Sequence, residues 1–270
     1  MQRPMIVACS LLLAACERVV DLDVDEGPQR LVVEARLERV HGQVNGNQSI
    51  RLTTTAPYFA SSTTPAARGA TVEVTGNGGV VRFSESATPG TYVTNQLIVT
   101  AGSEYRLDIT YEGQRYEAVA TAQPVPLIDS IYLEKPKPGR FSGDSGVRVT
   151  IDVTDPADQD NWYLWDQFVD GIRQLGPDSS FKLRITAPDE SFRGITIKGF
   201  QPFEGVNINA GSSVLVRQIG IPESMYLYYF ALSDQVGSDG SPFSVPPASV
   251  RGNVANRTTP TRPALGYFYA

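Results

Sequence analysis

The sequence predicts an all-β protein, with an antiparallel N-terminal sandwich followed by a second β-rich domain that carries one short helix. Two observations support this prediction. Apolar and polar residues alternate with a period of two in many short segments, and turns rich in glycine, asparagine or proline separate those segments. Helical segments do not alternate regularly with the strands, so a parallel α/β sheet is not expected.

The first element is a lipoprotein signal at residues 1–15. Arg3 supplies a positive charge, and the apolar stretch after it is too short to span a bilayer. The stretch ends in Leu13-Ala14-Ala15, directly before Cys16. We therefore expect cleavage before Cys16 and attachment to the lipid bilayer through its acylated thiol. The alternatives are an ordinary secretory signal with an incidental cysteine, or modification of Cys9, which almost no apolar residue precedes.

Charge and cysteine content limit the partners of the mature chain. Removing residues 1–15 takes away Arg3 and no acidic residue, so 22 basic side chains face 29 acidic ones. This negative balance argues against nucleic acid as a partner. The one cysteine that remains is the anchor itself, so disulfides and thiolate metal sites are excluded. The folded part must depend on its core.

Residues 16–29 form an acidic tether between the lipid and the first domain. Acidic residues surround single apolar residues there, and Gly27-Pro28 closes the segment. Like charges keep such a segment extended in solvent. The alternative is a first edge strand, with Val20, Leu22 and Val24 alternating on one face.

The N-terminal sandwich is assigned to residues 30–125. Its strands include one with Leu31, Val33, Ala35 and Leu37 on a single face, and a hairpin over 105–120 that turns at Glu112-Gly113-Gln114. Neither proline of Pro124-Val125-Pro126 can donate a hydrogen bond to a central strand. We therefore place the domain boundary near residue 125.

The C-terminal domain is assigned to residues 126–270. Strands are predicted over 127–133, 147–153, 162–169 and 213–218. A helix is predicted near 223–236, since proline and glutamate in a first turn favour a helix start. Its apolar stripe contains Met225, Tyr229 and Leu232, with Tyr226 and Phe230 beside them.

The chain lacks the usual signals of an enzyme. His41 is the single histidine and lies in a polar turn, and the common nucleophile, dinucleotide, phosphate and zinc motifs are absent. Catalytic residues and cofactors are therefore not expected. The aromatic residues around Trp162 and Tyr228 could form a sugar-stacking surface, but such spacing more often fills a sandwich core.

One acidic loop is weighed as a calcium site. Asp155, Asp158 and Asp160 offer hard oxygen ligands within a short segment, but their spacing matches no EF-hand. The alternative is that Asp155-Pro156 begins a turn and the other carboxylates face water. Carboxylates near 152–160 are also the candidates for a glycan-active enzyme, although sequence alone does not give their separation in space.

Several stretches, taken in order, resemble a family of Bacteroidota lipoproteins known as domain of unknown function 4249. The similarity covers nearly the whole mature chain, and its most specific part is C-terminal. It rests on the following segments: 16–23, 31–35, 124–132, Asp155-Pro156, Asn161-Trp162-Tyr163, 226–235, 241–248, Gly252-Asn253-Val254 and 265–268. The first half is separately similar to immunoglobulin-like and transthyretin-like sandwiches.

The resemblance implies an outer-membrane lipoprotein exposed at the cell surface, encoded beside a TonB-dependent receptor of the SusC type. It implies no reaction and no catalytic residue. We therefore expect a non-enzymatic accessory or ligand-capturing partner of such a receptor. The alternatives are a structural or adhesive envelope lipoprotein and, less favoured, the glycan-active enzyme.

The loop from 238 to 253 is the predicted contact with a partner, because its prolines restrict the free state. Its candidate residues are Phe243, Pro246, Pro247 and Asn253. The alternative is that these residues cover the edge and core of the sandwich.

Overall fold

A computed structural model describes residues 27–44, 46–57, 64–135, 146–174, 185–203, 205–237 and 249–270. The first seven strands are β1 (Leu31–Arg36), β2 (Gln48–Thr54), β3 (Thr71–Gly76), β4 (Gly79–Glu85), β5 (Thr91–Thr94), β6 (Glu104–Tyr111) and β7 (Gln114–Thr121). The next seven are β8 (Ile128–Glu134), β9 (Arg148–Thr154), β10 (Trp162–Val169), β11 (Ile172–Gln174), β12 (Ile185–Pro188), β13 (Thr196–Phe200) and β14 (Val214–Ile221). The helix α1 (Glu223–Gly237) precedes β15 (Ala255–Asn256) and β16 (Leu265–Tyr269).

The predicted fold class is confirmed, because strands dominate the described residues and a single helix accompanies them. The largest sheet has nine strands in the order β15-β7-β6-β3-β4-β5-β2-β1-β16. All of its neighbours are antiparallel except β1 and β16, which run parallel. Alternation fixes its inner face, since Leu31, Val33 and Ala35 are buried and Glu34 between them is exposed.

The nine-stranded sheet curls around one core, and the C-terminal segment joins its two edges. Asn256 pairs with Tyr116 of β7 at one edge, while β16 lies at the other. The amide N–H of Gln123, just after β7, donates to the carbonyl oxygen of Ala270 at 3.0 Å. Val254 and Phe268 belong to the same buried cluster as β1, β2 and β6. These contacts cover part of the two free edges of the sheet.

The membership of the first sheet does not follow the predicted division of the chain into 30–125 and 126–270. Residues 254–270 follow the predicted boundary in sequence, but β15 and β16 belong to the first sheet. The physical reason is that edge strands leave backbone groups unpaired, and any later strand of suitable pattern can satisfy them. Strand pairing across more than 200 residues leaves no mark in local periodicity.

The remaining strands form two smaller sheets. One has the order β13-β9-β8, and in the other β10 pairs with β11, β12 and β14. A second core lies between these sheets, where Ile151 of β9 and Trp165 of β10 are buried together. Trp165 also contacts Phe200 of β13 edge-to-face, with ring centroids 5.1 Å apart. The aromatic residues of β10 at positions 163 and 165 are therefore core residues.

The helix α1 packs where the two parts of the structure meet. Met225 is buried with Leu164 of β10 and with Tyr267 and Tyr269 of β16. The helix lies where the sequence predicts it. Met225 is buried, while Tyr229 and Leu232 are partly exposed and line an open cleft. Phe230 differs from its neighbours in the predicted stripe, because its side chain is 59% exposed. The apolar stripe is thus narrower than the sequence indicates.

Candidate functional site: a cleft between the sheets

Most residues nominated from the sequence for anchoring or partner contact lie outside the described part of the chain. These are Cys16, Phe243, Pro246 and Pro247. Asn253 is described, and its side chain is used within the fold. Its amide nitrogen donates to the carbonyl oxygen of Phe268 at 2.7 Å, and its oxygen accepts from the amide N–H of Phe268 at 2.8 Å. This geometry gives Asn253 a role in holding β16.

Asp155, the first calcium candidate, is buried inside the second part of the fold. Its carboxylate accepts the hydroxyl of Tyr163 and the amide N–H of Gly194, the latter at 3.3 Å. Burial and the neighbouring carboxylates of Asp155 and Asp189 raise the pKa of the Tyr163 phenol well above its usual range. The pair therefore ties the turn after β9 to β10.

The other two calcium candidates point elsewhere. Asp160 pairs with Arg193 at 2.5 Å, and Asp158 is exposed. Arg193 also binds the buried carboxylate of Asp189 at 3.0 Å. Within the described ranges, no group of three or more histidine, cysteine or acidic residues is placed to hold a metal ion. In the described residues the carboxylates of Asp160 and Asp189 form hydrogen bonds and ion pairs that hold the loops in place.

Asp152 begins the acidic stretch considered for glycan chemistry, and it too has local partners. Its carboxylate accepts the amide N–H of Gly199 at 2.7 Å and the hydroxyls of Ser130 and Tyr132 at 2.9 Å each. The hydrogen bonds from Gly199 and Ser130 hold the pKa of this carboxyl below its usual value. Neither Asp152 nor Asp155 lines the large cleft described below.

A cleft of about 1160 Å³ separates the outer face of the first sheet from the sheet of β10 and from α1. Its floor includes the outward residues of β1, β2 and β5, such as Glu34, Ser49 and Val93. This volume is slightly above the range usual for small-molecule sites, about 300–1,000 Å³. The cleft is thus large enough to hold a ligand.

An alternating chain of five charged side chains crosses the cleft. Arg173 pairs with Asp166, and Asp166 faces Arg36 across the two sheets at 3.9 Å. Arg36 pairs with Glu38 at 2.8 Å, and Glu38 pairs in turn with Arg217 at 3.6 Å. The first sheet contributes Arg36 and Glu38, while the second contributes the other three groups. These residues are named the ionic network below.

Burial and charge act against each other at Arg36. Burial lowers the pKa of its guanidinium, but the Tyr269 side chain and the carboxylates of Glu38 and Asp166 outweigh that effect and raise it. Arg36 is therefore fully charged at neutral pH. Asp166 is 5% exposed, and a carboxylate this buried is stabilised by nearby cations such as Arg36 and Arg173.

The other end of the cleft is aromatic. Tyr228 of α1 lies 5.0 Å from Tyr267 of β16 and 6.0 Å from Tyr229, measured between ring centroids. Near the ionic network, the guanidinium of Arg217 lies over the ring of Phe168 at 5.6 Å. The cleft therefore joins a charged end that is rich in hydrogen-bond donors to an aromatic end.

The sequence reasoning missed the ionic network. Asp166 offered one signal, because it stands among apolar residues inside the strand Trp162–Val169 and such a strand seldom contains an unpaired carboxylate. Arg36, Arg173 and Arg217 gave no comparable signal, since each lies in an ordinary strand position.

The helix of the described ranges does not have the length and apolar character needed to cross a bilayer. No curated protein matches the chain. The family model described as "Domain of unknown function (DUF4249)" matches residues 17–270. This match extends from the first residue after Cys16 to the end of the sequence and confirms the resemblance found in its motifs. The chain therefore belongs to the DUF4249 family.

Proposed function

We propose that this protein is a non-enzymatic outer-membrane lipoprotein that captures a ligand at the cell surface and docks on a TonB-dependent receptor. Cys16 provides the lipid anchor, and the acidic segment 16–29 holds the folded part away from the bilayer. The sequence around Cys16 supports the anchor, and the resemblance to Bacteroidota lipoproteins supports the receptor partner.

The open cleft of about 1160 Å³ is the observation that carries the ligand-capturing part of this proposal. Ligand sites are typically concave and combine apolar walls with a few convergent polar groups. The cleft has this composition. Asp152 and Asp155, the carboxylates considered for catalysis, lie away from the cleft. Their oxygens accept hydrogen bonds from backbone N–H groups and from hydroxyl groups.

Two measurements test the anchor and the receptor. Mass spectrometry of the mature protein is expected to find an acylated Cys16, and Cys16→Ser is expected to release the protein from the membrane fraction. An affinity tag on the wild-type chain is expected to recover a TonB-dependent receptor from detergent-solubilised membranes.

Two results together would contradict the receptor partnership. A protein that elutes alone, and whose deletion leaves uptake by the neighbouring receptor unchanged, would have a structural or adhesive role in the envelope. Retention of the surface phenotype in a strain that lacks the receptor gene would support that second candidate.

A further inference from the structure

We propose that the cleft binds a small ligand in which a single carboxylate is attached to an apolar body. This inference rests on the proposed ligand-capturing function and adds the chemical class of the ligand. The observation behind it is an unequal distribution of charge and exposure within the cleft.

The ionic network carries one positive charge in excess. Its cations are Arg36, Arg173 and Arg217, and its carboxylates are Asp166 and Glu38. Each guanidinium has about five N–H donors and each carboxylate about four acceptor positions, so the donors outnumber the acceptors. Tyr269 takes up part of this surplus through a side-chain hydrogen bond with Arg36, and the remaining donors can serve a ligand's acceptor oxygens.

The arginine side chains are accessible, and the carboxylate that two of them share is not. Arg36, Arg173 and Arg217 are 29%, 32% and 36% exposed, and Glu38 is 36% exposed, whereas Asp166 is 5% exposed. A ligand that enters the cleft therefore meets guanidinium groups before it meets the shared carboxylate of Asp166. Planar guanidinium groups bind carboxylates through two parallel hydrogen bonds, which fixes the orientation of the ligand.

The remaining carboxylate of the cleft does not cancel this excess. Glu34 lies on the floor and faces Arg51 at 3.7 Å, so that pair is neutral by itself. An excess of one charge matches a monoanion. A phosphate dianion would leave the occupied site with a net negative charge inside an acidic protein of formal charge −6.

The aromatic end accounts for the apolar body. Met225, Leu232 and the cluster of Tyr228, Tyr229 and Tyr267 line the cleft on the helix side. An apolar group placed against these side chains leaves water, while its carboxylate reaches the arginines. The two ends thus select a ligand with both features.

The test is calorimetric titration of the full-length, detergent-solubilised protein with N-acetyl-leucyl-phenylalanine and, separately, with its C-terminal amide. The two probes share one apolar body and differ in the carboxylate. We expect the free acid to bind and the amide to bind at least about tenfold more weakly, because hydrogen bonds to charged groups are the stronger ones.

Substitutions locate the binding in the cleft. Arg173→Gln and Arg217→Gln are each expected to weaken binding of the free acid at least about tenfold. The matched control is Arg82→Gln, since Arg82 faces Glu73 at 3.7 Å on β3 and β4 and does not line the cleft. Melting temperatures are measured for all variants. Arg217→Gln decides the matter if Arg173→Gln does not fold, because the partner of Arg217 is the half-exposed Glu38.

Three results would overturn the inference: no binding of the free acid, equal binding of acid and amide, or binding that neither arginine substitution weakens. Binding of maltotriose in preference to the acid would also overturn it, in favour of a neutral glycan site. If the receptor still co-purifies while the acid fails to bind, only this inference fails. If the acid binds and the receptor does not co-purify, the receptor partner fails instead.

Discussion

The side-chain amide of Asn253 forms hydrogen bonds of 2.7 and 2.8 Å with the backbone C=O and N–H of Phe268. The side-chain amide thereby imitates a neighbouring strand at the outer edge of β16. Val254 directly follows in the core, and Ala255 begins the pairing with β7. Asn253 therefore connects the two edges of the curled sheet.

Replacing Asn253 with alanine is expected to destabilise the protein. The substitution leaves the N–H and C=O of Phe268 without partners, and each such group costs about 1–3 kcal/mol when buried. Urea denaturation measures the effect as a lower midpoint. Asn209→Ala is the control, because Asn209 lies in an exposed turn. Equal midpoints for the two variants would contradict the role assigned to Asn253.

Gly266→Ala is expected to lower the stability of the protein more than the same substitution at another glycine of similar backbone conformation. Gly266 has φ +84°, and a Cβ there would overlap the carbonyl oxygen of Val33 on β1. Gly211 has φ +88° but open space around it, so Gly211→Ala measures the backbone strain alone. Overpacking typically adds about 1–3 kcal/mol. A thermal melt in which both variants lose the same stability would refute the close approach of β16 to β1.

Tyr163→Phe tests the buried pair between Tyr163 and Asp155. Without the hydroxyl, the carboxylate of Asp155 keeps the N–H of Gly194 but loses its other donor. We expect a loss of about 1–3 kcal/mol in unfolding free energy, since a buried acceptor is left unsatisfied. Tyr132→Phe is the comparison, because Tyr132 shares Asp152 with two other donors. A larger effect at Tyr132 would be evidence against the structural role of Asp155.

The lowered pKa of Asp189 predicts how the stability of the protein changes at acid pH. Burial alone would raise the pKa of this carboxyl, but Arg193 and the amide N–H of Asn161 bind its charged form and lower it overall. A lowered pKa contributes stability above the ordinary value, about 3.9, and that stability is lost as the pH falls through the folded value. Urea midpoints of Asp189→Asn are therefore expected to fall less steeply than those of the wild type between about pH 5 and pH 2.

The control for the acid transition is Asp158→Asn. Asp158 lies in the neighbouring turn with an exposed side chain. Its substitution is expected to keep the wild-type pH dependence. If Asp189→Asn and Asp158→Asn give the same slope, Asp189 does not contribute to acid sensitivity.

The sequence alone determined the class of the fold and many of its elements. Alternation in Leu31–Arg36 predicts β1 and its buried face, and proline followed by glutamate predicts the start of α1. The alternation of buried residues in a strand and the residues that begin a helix are local properties, so they can be read from a single segment of the sequence. The family likewise follows from short motifs in order.

Tertiary structure alone decided which strands pair over long distances in the sequence and where the cleft forms. Every edge strand offers the same backbone groups, so nothing local predicts that β16 runs parallel to β1. The ionic network joins Arg36 to Asp166 and Glu38 to Arg217 across more than 100 residues, and apart from Asp166 each charge is unremarkable in its own segment. A cleft of this kind exists only because two sheets present their outer faces to each other, and that geometry is a property of the packed chain.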